Sequence, residues 1–245
     1  MLNSAEIKRI ALEVGFDDCG VARADVLTDS EYPLRQWVAR GWHGDLSYME
    51  RNIEKRMDPR LLVPGAKSVI CCVSAYGPPD TNRGDGVAAY AQHREYHKVV
   101  KDMLFALRER LGIDGKICCD TVPISDKHWA VRAGLGWIGR HTLLVTPRWG
   151  TWVNLGEIVT DEECTDYTKC PEYTDHCSKC GHCVDACPNR AIAPDGPPML
   201  DVRRCTAYYT THNPRPLPLG IDTCGYTLGC DLCQLACPFN SSKTE

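Results

Sequence analysis

The 245-residue sequence contains no long hydrophobic run and no marked excess of either charge. No apolar stretch approaches the roughly 20 residues that a membrane-spanning helix needs, and residues 1–10 lack the basic start and apolar centre of a secretory signal peptide. The 28 basic and 32 acidic residues leave a net charge of −4, which provides no general attraction to nucleic acid or to an anionic membrane. These absences predict a cytoplasmic protein that does not bind a membrane.

Cysteine, in contrast, is abundant. The chain has 16 cysteines, five of them before residue 120 and eleven from Cys164 to Cys237. In a reducing cytoplasm, cysteines at this density are more often metal ligands than disulfide partners. The change in density predicts a boundary near residue 162, with one domain over residues 1–162 and a second, metal-rich domain over residues 163–245.

The first domain alternates helical and strand patterns. Apolar residues recur at helical spacing in its opening stretch, where Ser4 is placed to cap a helix that runs to about Val14. Residues 141–160 have a strand-turn-strand pattern and predict an antiparallel hairpin that closes the domain. The other predicted elements are buried strands over residues 19–24, 67–74 and 116–122, and helices over residues 33–40 and 90–111. The pattern predicts an α+β protein whose N-terminal domain is layered.

The second domain contains a run typical of a 4Fe-4S ferredoxin. Its spacing is Cys177-x2-Cys180-x2-Cys183-x3-Cys187-Pro188, in which the first three thiolates bind one cluster and the fourth binds the other. CxxC pairs also serve structural zinc sites, but zinc takes only four ligands and has no use for the proline that follows. The run therefore favours two 4Fe-4S clusters, held in a ferredoxin-like domain, over a zinc site.

A second cysteine run supplies further ligands. Cys230, Cys233 and Cys237 repeat the end of the first run, but the opening cysteine is missing. One ligand must therefore come from elsewhere, and spacing alone does not choose between Cys205 and Cys224. By the crossover rule, one cluster is expected on Cys177, Cys180, Cys183 and Cys237, and the other on Cys187, Cys230, Cys233 and one of the two candidates.

The remaining cysteines have a simpler interpretation. Free cysteine in a strand behaves as a small apolar side chain, and this is the role expected of Cys71, Cys72, Cys118 and Cys119. Cys164 and Cys170 border the predicted clusters, where either could be a reactive thiol or an alternative ligand.

Several longer phrases resemble one protein family. They are HGDLSYMERNIEKRMDPRLLVPGAKSVI at residues 43–70, YAQHREYHK at 90–98, DTVP at 120–123, WAVRAGLGWIGRHTLLV at 129–145 and WVNLGEIVTD at 152–161. Together with the cysteine runs they cover nearly the whole chain, in order, and resemble the epoxyqueuosine reductases. The resemblance implies an oxidoreductase that reduces the epoxide of epoxyqueuosine in tRNA to an alkene, using cobalamin and two 4Fe-4S clusters. It also implies a cobalamin-binding N-terminal domain similar to those of cobalamin-processing proteins and reductive dehalogenases.

The resemblance assigns roles to individual residues. Cys205, which follows Asp201 in a DVRRC phrase, is implied as the eighth cluster ligand, and Cys224 is then left over. Asp120 is implied as the proton donor and as a cofactor contact, held beside the corrin in a dry pocket that would raise its pKa. The residues alone favour another role for Asp120, the capping of a helix that starts near Ser125.

Further cofactor contacts are expected in the same domain. The resembling phrases supply polar side chains and glycines that suit corrin amides, the cofactor's phosphate and close backbone approach. The expected contacts are Arg56, His97, Arg132, Gly134, Gly136 and Gly139. The alternative is that the polar side chains are solvated or salt-bridged and that the glycines serve tight packing. No protein-derived cobalt ligand is predicted.

Two features depart from the family pattern. Known members continue past the clusters with a helical-repeat extension that helps to bind tRNA, whereas this sequence ends soon after Pro238. After the DTVP phrase, a glutamate and a basic residue are usual, and Asp126 and Lys127 stand there instead.

These features leave two function classes. The first is a reductase whose partners are tRNA or a small epoxide-bearing substrate and a low-potential electron donor. The second is a non-catalytic iron-sulfur electron-transfer protein that serves a corrinoid protein or a partner enzyme. The intact Asp120 favours the first class, and the missing extension favours the second.

Overall fold

A four-stranded antiparallel sheet forms the centre of the N-terminal part of the chain. A computed structural model describes residues 2–93, 95–169, 176–212 and 216–240 of the protein. The strands in these ranges are β1 (Asp18–Arg23), β2 (Ser68–Ala75), β3 (Lys116–Cys118), β4 (Trp137–Ile138), β5 (Leu144–Val145) and β6 (Val153–Thr160). The sheet has the order β1-β2-β6-β3, and β4 pairs with β5 separately. The two eight-residue strands, β2 and β6, are thus central and pair along their whole length.

Helices cover both faces of this sheet. The helices of the described residues are α1 (Ser4–Glu13), α2 (Thr28–Ala39), α3 (Ile53–Met57), α4 (Tyr96–Leu111), α5 (Asp126–Arg132), α6 (His182–Asp185) and α7 (Leu232–Leu235), of which the last two lie in the cysteine-rich part. α1 and α4 pack against one face, where Ile70 and Cys72 of β2 belong to their apolar core. α5 packs against the other face, where Val69, Cys71 and Val73 contribute. The alternation along β2 follows from the two-residue period of a strand, and the predicted layered α+β architecture is observed.

Several predicted boundaries need correction. The cap of α1 is Asn3, whose side chain accepts a hydrogen bond from the Glu6 amide, while the Ser4 hydroxyl donates to Asp166. The helix predicted over residues 33–40 begins at Thr28, so that Pro33 lies inside it. The helix predicted from residue 90 begins at residue 96, because residues 89–91 form a separate 3-10 turn. The strand predicted over residues 116–122 ends at residue 118.

The hairpin predicted over residues 141–160 is wrong. β5 pairs with β4, whereas β6 pairs with β2 on one side and β3 on the other. The backbone groups of Thr146 and Gly150 bond to each other at 2.7 and 3.1 Å, which closes a tight turn after β5. β2 pairs along the whole of one edge of β6 and β3 pairs with residues 157–159 on the other, so the partners of β6 are long-range strands and not β5.

The cysteine-rich part has little regular structure and packs on the sheet domain through specific polar contacts. The Trp37 indole donates to the Leu200 carbonyl at 2.6 Å, and the Ala89 amide donates to the Asp231 carboxylate at 2.7 Å. The Thr151 hydroxyl donates to Gln234 at 2.9 Å. A domain boundary at residue 162 stays a prediction. Among the described residues, no helix is both long and apolar enough to cross a membrane.

Candidate functional site

The first group of thiols is that of Cys177, Cys180, Cys183 and Cys237. Gly181 adopts a left-handed conformation (φ +70°) directly before α6, which turns the chain between the second and third cysteines. Burial, followed by the neighbouring thiols of the other three cysteines, raises the pKa of the Cys183 thiol to about 11. The tertiary structure therefore brings together the four cysteines that the crossover rule assigns to one cluster.

The second group is that of Cys187, Cys205, Cys230 and Cys233. Burial raises the pKa of Cys230 to about 12, with additional effects of the Cys205 and Cys187 thiols. The pKa of Cys233 is raised well above its usual value, first by burial and then by the same neighbours and Cys230. Four thiols grouped in this way would gain stability by becoming thiolates bound to iron.

Cys205 and Cys224 differ in their surroundings. The Cys205 thiol is largely buried and lies near Cys187, Cys230 and Cys233. Cys224 is exposed, has φ +48°, and its amide donates to the Asp222 carboxylate at 2.7 Å. Its thiol lies near Cys187, but Cys205 faces three members of the group. The geometry favours Cys205 as the fourth ligand.

The spacing of these thiols also bears on the zinc alternative. Four sulfurs on one zinc each lie about 2.3 Å from the metal, so they converge tightly. Within the described ranges, no three cysteine, histidine, aspartate or glutamate side chains converge closely enough to ligate a single ion. In a 4Fe-4S cluster, by contrast, each of the four thiolates binds a different iron atom.

The cysteines of the sheet are core residues. Cys71, Cys72 and Cys118 are fully buried and Cys119 is 1% exposed. Cys164 belongs to the apolar core on the α1 and α4 face. Cys170 lies outside the described residues.

Asp120 lies in the loop between β3 and α5 and has a left-handed backbone (φ +56°), which is uncommon for a residue other than glycine. The Tyr96 hydroxyl donates to its Oδ2 atom, and the Nε2 atom of His97 lies 3.0 Å from the same oxygen. The Asp120 side chain is 46% exposed. The protein alone therefore does not enclose this carboxyl group in a dry pocket.

The capping role considered for Asp120 is not observed. The residue before α5 is Ser125, whose side chain makes no capping hydrogen bond. The Ser125 hydroxyl is instead 2.9 Å from Nδ1 of His128. Asp120 is held from α4, through Tyr96 and His97, and not by the start of α5.

Arg56 lies in the same region as Asp120. Its guanidinium donates to the Tyr48 carbonyl at 3.0 Å, while its Nε atom is buried and has no acceptor among the described residues. Burial raises the pKa of Tyr48, and the Asp120 charge contributes to the shift. Burial lowers the pKa of Arg56, and the negative charge of nearby Asp126 partly offsets this shift.

Sequence reasoning assigns no role to four residues of this region. Tyr48 and Tyr96 lie within the phrases at residues 43–70 and 90–98, but no spacing rule marks them as neighbours of Asp120. The other two are Asp126, which the sequence marks only as a departure from the family pattern, and Glu157, which is fully buried. Glu157 is a single charged residue inside an otherwise apolar strand, and this feature is the signal that could have drawn attention to it.

Arg132 and the glycines have structural contacts. The Arg132 guanidinium donates to the carbonyls of Asp25 and Val26, each at 3.2 Å. A Cβ atom on Gly136 would lie 2.2 Å from the Val145 carbonyl oxygen, so this glycine permits β4 to approach β5. Gly139 packs against the His141 ring, and Gly134 has φ +76° after α5. Tight packing accounts for Gly136 and Gly139.

The fold and the thiol groups define a class of protein. A layered α+β domain with a polar, partly exposed Asp120 region is joined to a domain that presents two groups of four cysteine thiols. This combination is that of an iron-sulfur oxidoreductase. Two family models match the chain, "Epoxyqueuosine reductase QueG, DUF1730" over residues 56–121 and "4Fe-4S double cluster binding domain" over residues 176–240.

Sequence similarity to known proteins identifies the family of this chain. The epoxyqueuosine reductase of Cellulophaga algicola is 36% identical over 244 residues, which cover 96% of this chain and 78% of that protein. The chain belongs to the epoxyqueuosine reductase family. It is an oxidoreductase of that type with a 4Fe-4S double-cluster domain, and the family functions in queuosine modification of tRNA.

Solved structures of epoxyqueuosine reductases have the same fold as this chain. An epoxyqueuosine reductase crystallised with an epoxyqueuosine-modified tRNA-Tyr stem loop superimposes with a TM-score of 0.81 at 30% identity, covering 98% of this chain and 65% of that one. The enzyme of Bacillus subtilis, with its catalytic aspartate loop swung out of the active site, gives 0.82 at 29% identity, with coverages of 98% and 65%. The reductive dehalogenase NpRdhA shares the fold, with a TM-score of 0.62 at 17% identity, covering 96% of this chain and 31% of that one.

Proposed function

We propose that this protein reduces the epoxide of epoxyqueuosine in tRNA to an alkene, with Asp120 as proton donor, cobalamin at the reacting centre and two 4Fe-4S clusters as electron carriers. The observation that carries this proposal is the Asp120 region. A partly exposed carboxyl group is held in an uncommon backbone conformation by two side chains of α4, beside Arg56 and Tyr48. Such a constrained, accessible acid suits proton delivery to a bound substrate.

The clusters would be held by the two thiol groups. One group is Cys177, Cys180, Cys183 and Cys237, and the other is Cys187, Cys205, Cys230 and Cys233. Each group supplies the four thiolates that one cluster needs. A low-potential donor would deliver electrons to these clusters one at a time.

The residues around Asp120 fit a cobalamin with many amide groups. The buried Nε atom of Arg56 has no acceptor among the described residues, and a corrin amide or phosphate oxygen would satisfy it. The hydroxyl of Tyr48 and the ring of His97 offer further polar contacts nearby. Bound cobalamin would supply a reducible cobalt for breaking the carbon-oxygen bonds. Arg132, Gly134, Gly136 and Gly139 stay weaker candidates for cofactor contacts.

The hydrogen bonds of Asp120 involve only one of its two carboxyl oxygens. Burial and the Asp120 charge both raise the pKa of Tyr96, so the Tyr96 hydroxyl keeps its proton and donates it in a hydrogen bond. Tyr96 and His97 both meet Oδ2, which leaves Oδ1 of Asp120 as the oxygen to carry the transferable proton.

The substrate is proposed to be tRNA-borne. Support comes from the 30% identical reductase with a bound tRNA stem loop, which this chain matches over 98% of its length. A free nucleoside epoxide is the alternative substrate. The test is an anaerobic assay of wild-type protein with reconstituted clusters, cobalamin and a chemical reductant, on free epoxyqueuosine and on a modified anticodon stem-loop. Alkene product from either substrate supports the proposal, and the absence of product from both contradicts it.

A further inference from the structure

Three arginines share an open cavity where the sheet domain meets the cysteine-rich part of the chain. Arg40 follows α2, Arg190 follows the first cysteine run, and Arg204 belongs to the DVRRC phrase. All three line the same cavity, called here the arginine cleft, whose walls come from the segments 40–42, 190–195 and 201–204. A concave surface that collects cations from separate segments concentrates positive potential at one place on the molecule.

Backbone hydrogen bonds join the walls of the arginine cleft. The Val202 amide donates to the Trp42 carbonyl at 2.9 Å, which ties the end of the α2 segment to the cysteine-rich part. The Asp201 amide donates to the Ala191 carbonyl at 2.8 Å. The three segments are thus bonded directly to one another, and the cleft is a defined feature of the fold.

The guanidinium groups of the cleft pair with no carboxylate of the described residues. Arg40 lies over the Trp42 ring, 4.9 Å from its centroid, and none of the three arginine side chains makes a hydrogen bond or ion pair with the described part of the chain. Asp201 also lines the cleft, but Arg203 donates to both of its carboxyl oxygens, at 2.8 and 2.9 Å. Asp195 is the remaining acid of the lining. The cleft therefore has an excess of positive charge, although the chain as a whole carries a net charge of −4.

The arginine cleft adjoins the second thiol group. The backbone amide of Ala191, in the wall of the cleft, donates to the Sγ atom of Cys187 at 3.3 Å. Arg204 directly precedes Cys205, another member of the same group. A partner bound in the cleft would therefore be one residue away from two of the cysteines that hold the second cluster.

We propose that the arginine cleft is the docking site of an acidic, low-potential electron-transfer protein that reduces the second cluster, an inference that rests on the proposed function. Carboxylates of the partner pair with the three guanidinium groups, whose planar fork matches a carboxylate. In each encounter the partner loses one electron and the cluster gains one, with no change in bonds or protons.

The position of the cleft distinguishes an electron donor from an RNA contact. Guanidinium groups bind RNA phosphates as well as carboxylates. A donor, however, must come close to a cluster, and the hydrogen bond to Cys187 provides that proximity. The three arginine side chains are also exposed. Exposed charges act mainly on the rate of association, which suits the small, transient complexes of electron-transfer proteins.

Stopped-flow reduction of the clusters tests the docking site without any substrate. The full chain, reconstituted with both clusters, is mixed anaerobically with reduced plant-type 2Fe-2S ferredoxin, an acidic low-potential donor, and the loss of 4Fe-4S absorbance is followed. Arg40→Gln/Arg190→Gln should lower the second-order rate at low salt by about tenfold, the lower end of electrostatic steering. It should also flatten the dependence of the rate on ionic strength. Arg40→Lys/Arg190→Lys should retain most of the rate.

Two controls separate docking from damage to the clusters. The methyl viologen radical, a small cationic donor, should lose no rate in the arginine variant. Lys179→Gln removes an exposed cation between Cys177 and Cys180 of the first thiol group and should leave the ferredoxin rate unchanged. Both variants should bind as much iron as wild type. Arg204 is left in place because it adjoins Cys205.

Several results would overturn the proposal. An unchanged ferredoxin rate in Arg40→Gln/Arg190→Gln excludes the cleft, and a lowered rate in Lys179→Gln alone moves docking to the first cluster. Weaker binding of an anticodon stem-loop by the arginine variant, with an unchanged ferredoxin rate, would identify an RNA contact instead. If methyl viologen reduces the wild-type clusters and ferredoxin does not, only the docking site fails. If neither donor reduces them, the proposed function fails as well.

Discussion

Replacing Asp120 by asparagine separates proton delivery from structure. Asparagine tolerates the left-handed backbone at φ +56°. It can still accept the hydrogen bond of the Tyr96 hydroxyl through its amide oxygen. The ion pair with His97 is lost, but both side chains are more than a third exposed, so the cost in stability should be below about 1 kcal/mol. The variant should therefore fold and keep both clusters.

Its effect on turnover should be much larger. Loss of a general acid slows a reaction by about a hundred- to ten-thousandfold, which corresponds to about 3 to 5 kcal/mol of transition-state stabilisation. The loss should appear in kcat, since the substrate does not need the transferred proton in order to bind. Cobalamin binding should change little, because the proposed contacts of Arg56 and Tyr48 are intact.

The assay compares Asp120→Asn with Asp114→Asn, an exposed aspartate before β3 that has no proposed role. Both proteins are reconstituted anaerobically, their iron content and visible spectra are recorded, and single turnovers are followed on the modified stem-loop. Equal rates for the two variants would refute the role of Asp120 as proton donor. Loss of the clusters in Asp120→Asn alone would instead indicate a structural role.

Three other measurements follow from the structure. Wild-type protein should bind about eight irons. Cys205→Ala should lose one of the two clusters, and Cys224→Ala should keep both. The opposite result would make Cys224, and not Cys205, the cluster ligand. Arg56→Gln should weaken cobalamin binding in an absorbance titration while its neighbour Lys55→Gln should not, and equal affinities would exclude the Arg56 contact. Because the folded-state pKa of Glu157 is raised, its contribution to stability is complete at low pH and is lost as pH rises through that pKa. Glu157→Gln should therefore be more stable than wild type at pH 8 but not at pH 4, and a pH-independent difference in denaturant unfolding would contradict this.

The sequence alone predicts the grouping of Cys177, Cys180 and Cys183 and the two central strands. Thiols at CxxC spacing lie in one short loop, so the chain cannot place Cys177, Cys180 and Cys183 far apart in any fold. The β-branched, apolar run around β2 is similarly informative, because both faces of a central strand are buried. Such patterns depend on neighbours in the chain and need no tertiary information.

Long-range pairing and the assembly of the Asp120 region were decided by the tertiary structure. β6 pairs with β2 and β3 and not with its neighbour in the chain, β5. The partners of a strand depend on which strand edges the folded sheet brings next to it. Tyr96, Arg56 and Asp120 are separated by dozens of residues, and only the packing of α3 and α4 beside the β3–α5 loop makes them neighbours. Spacing does not distinguish Cys205 from Cys224. The resemblance of the DVRRC phrase implies Cys205, and its position near Cys187, Cys230 and Cys233 supports that choice. The spacing of residues along the chain determines which side chains are close only when they are a few residues apart. For residues farther apart in the chain, burial and packing determine which side chains are in contact.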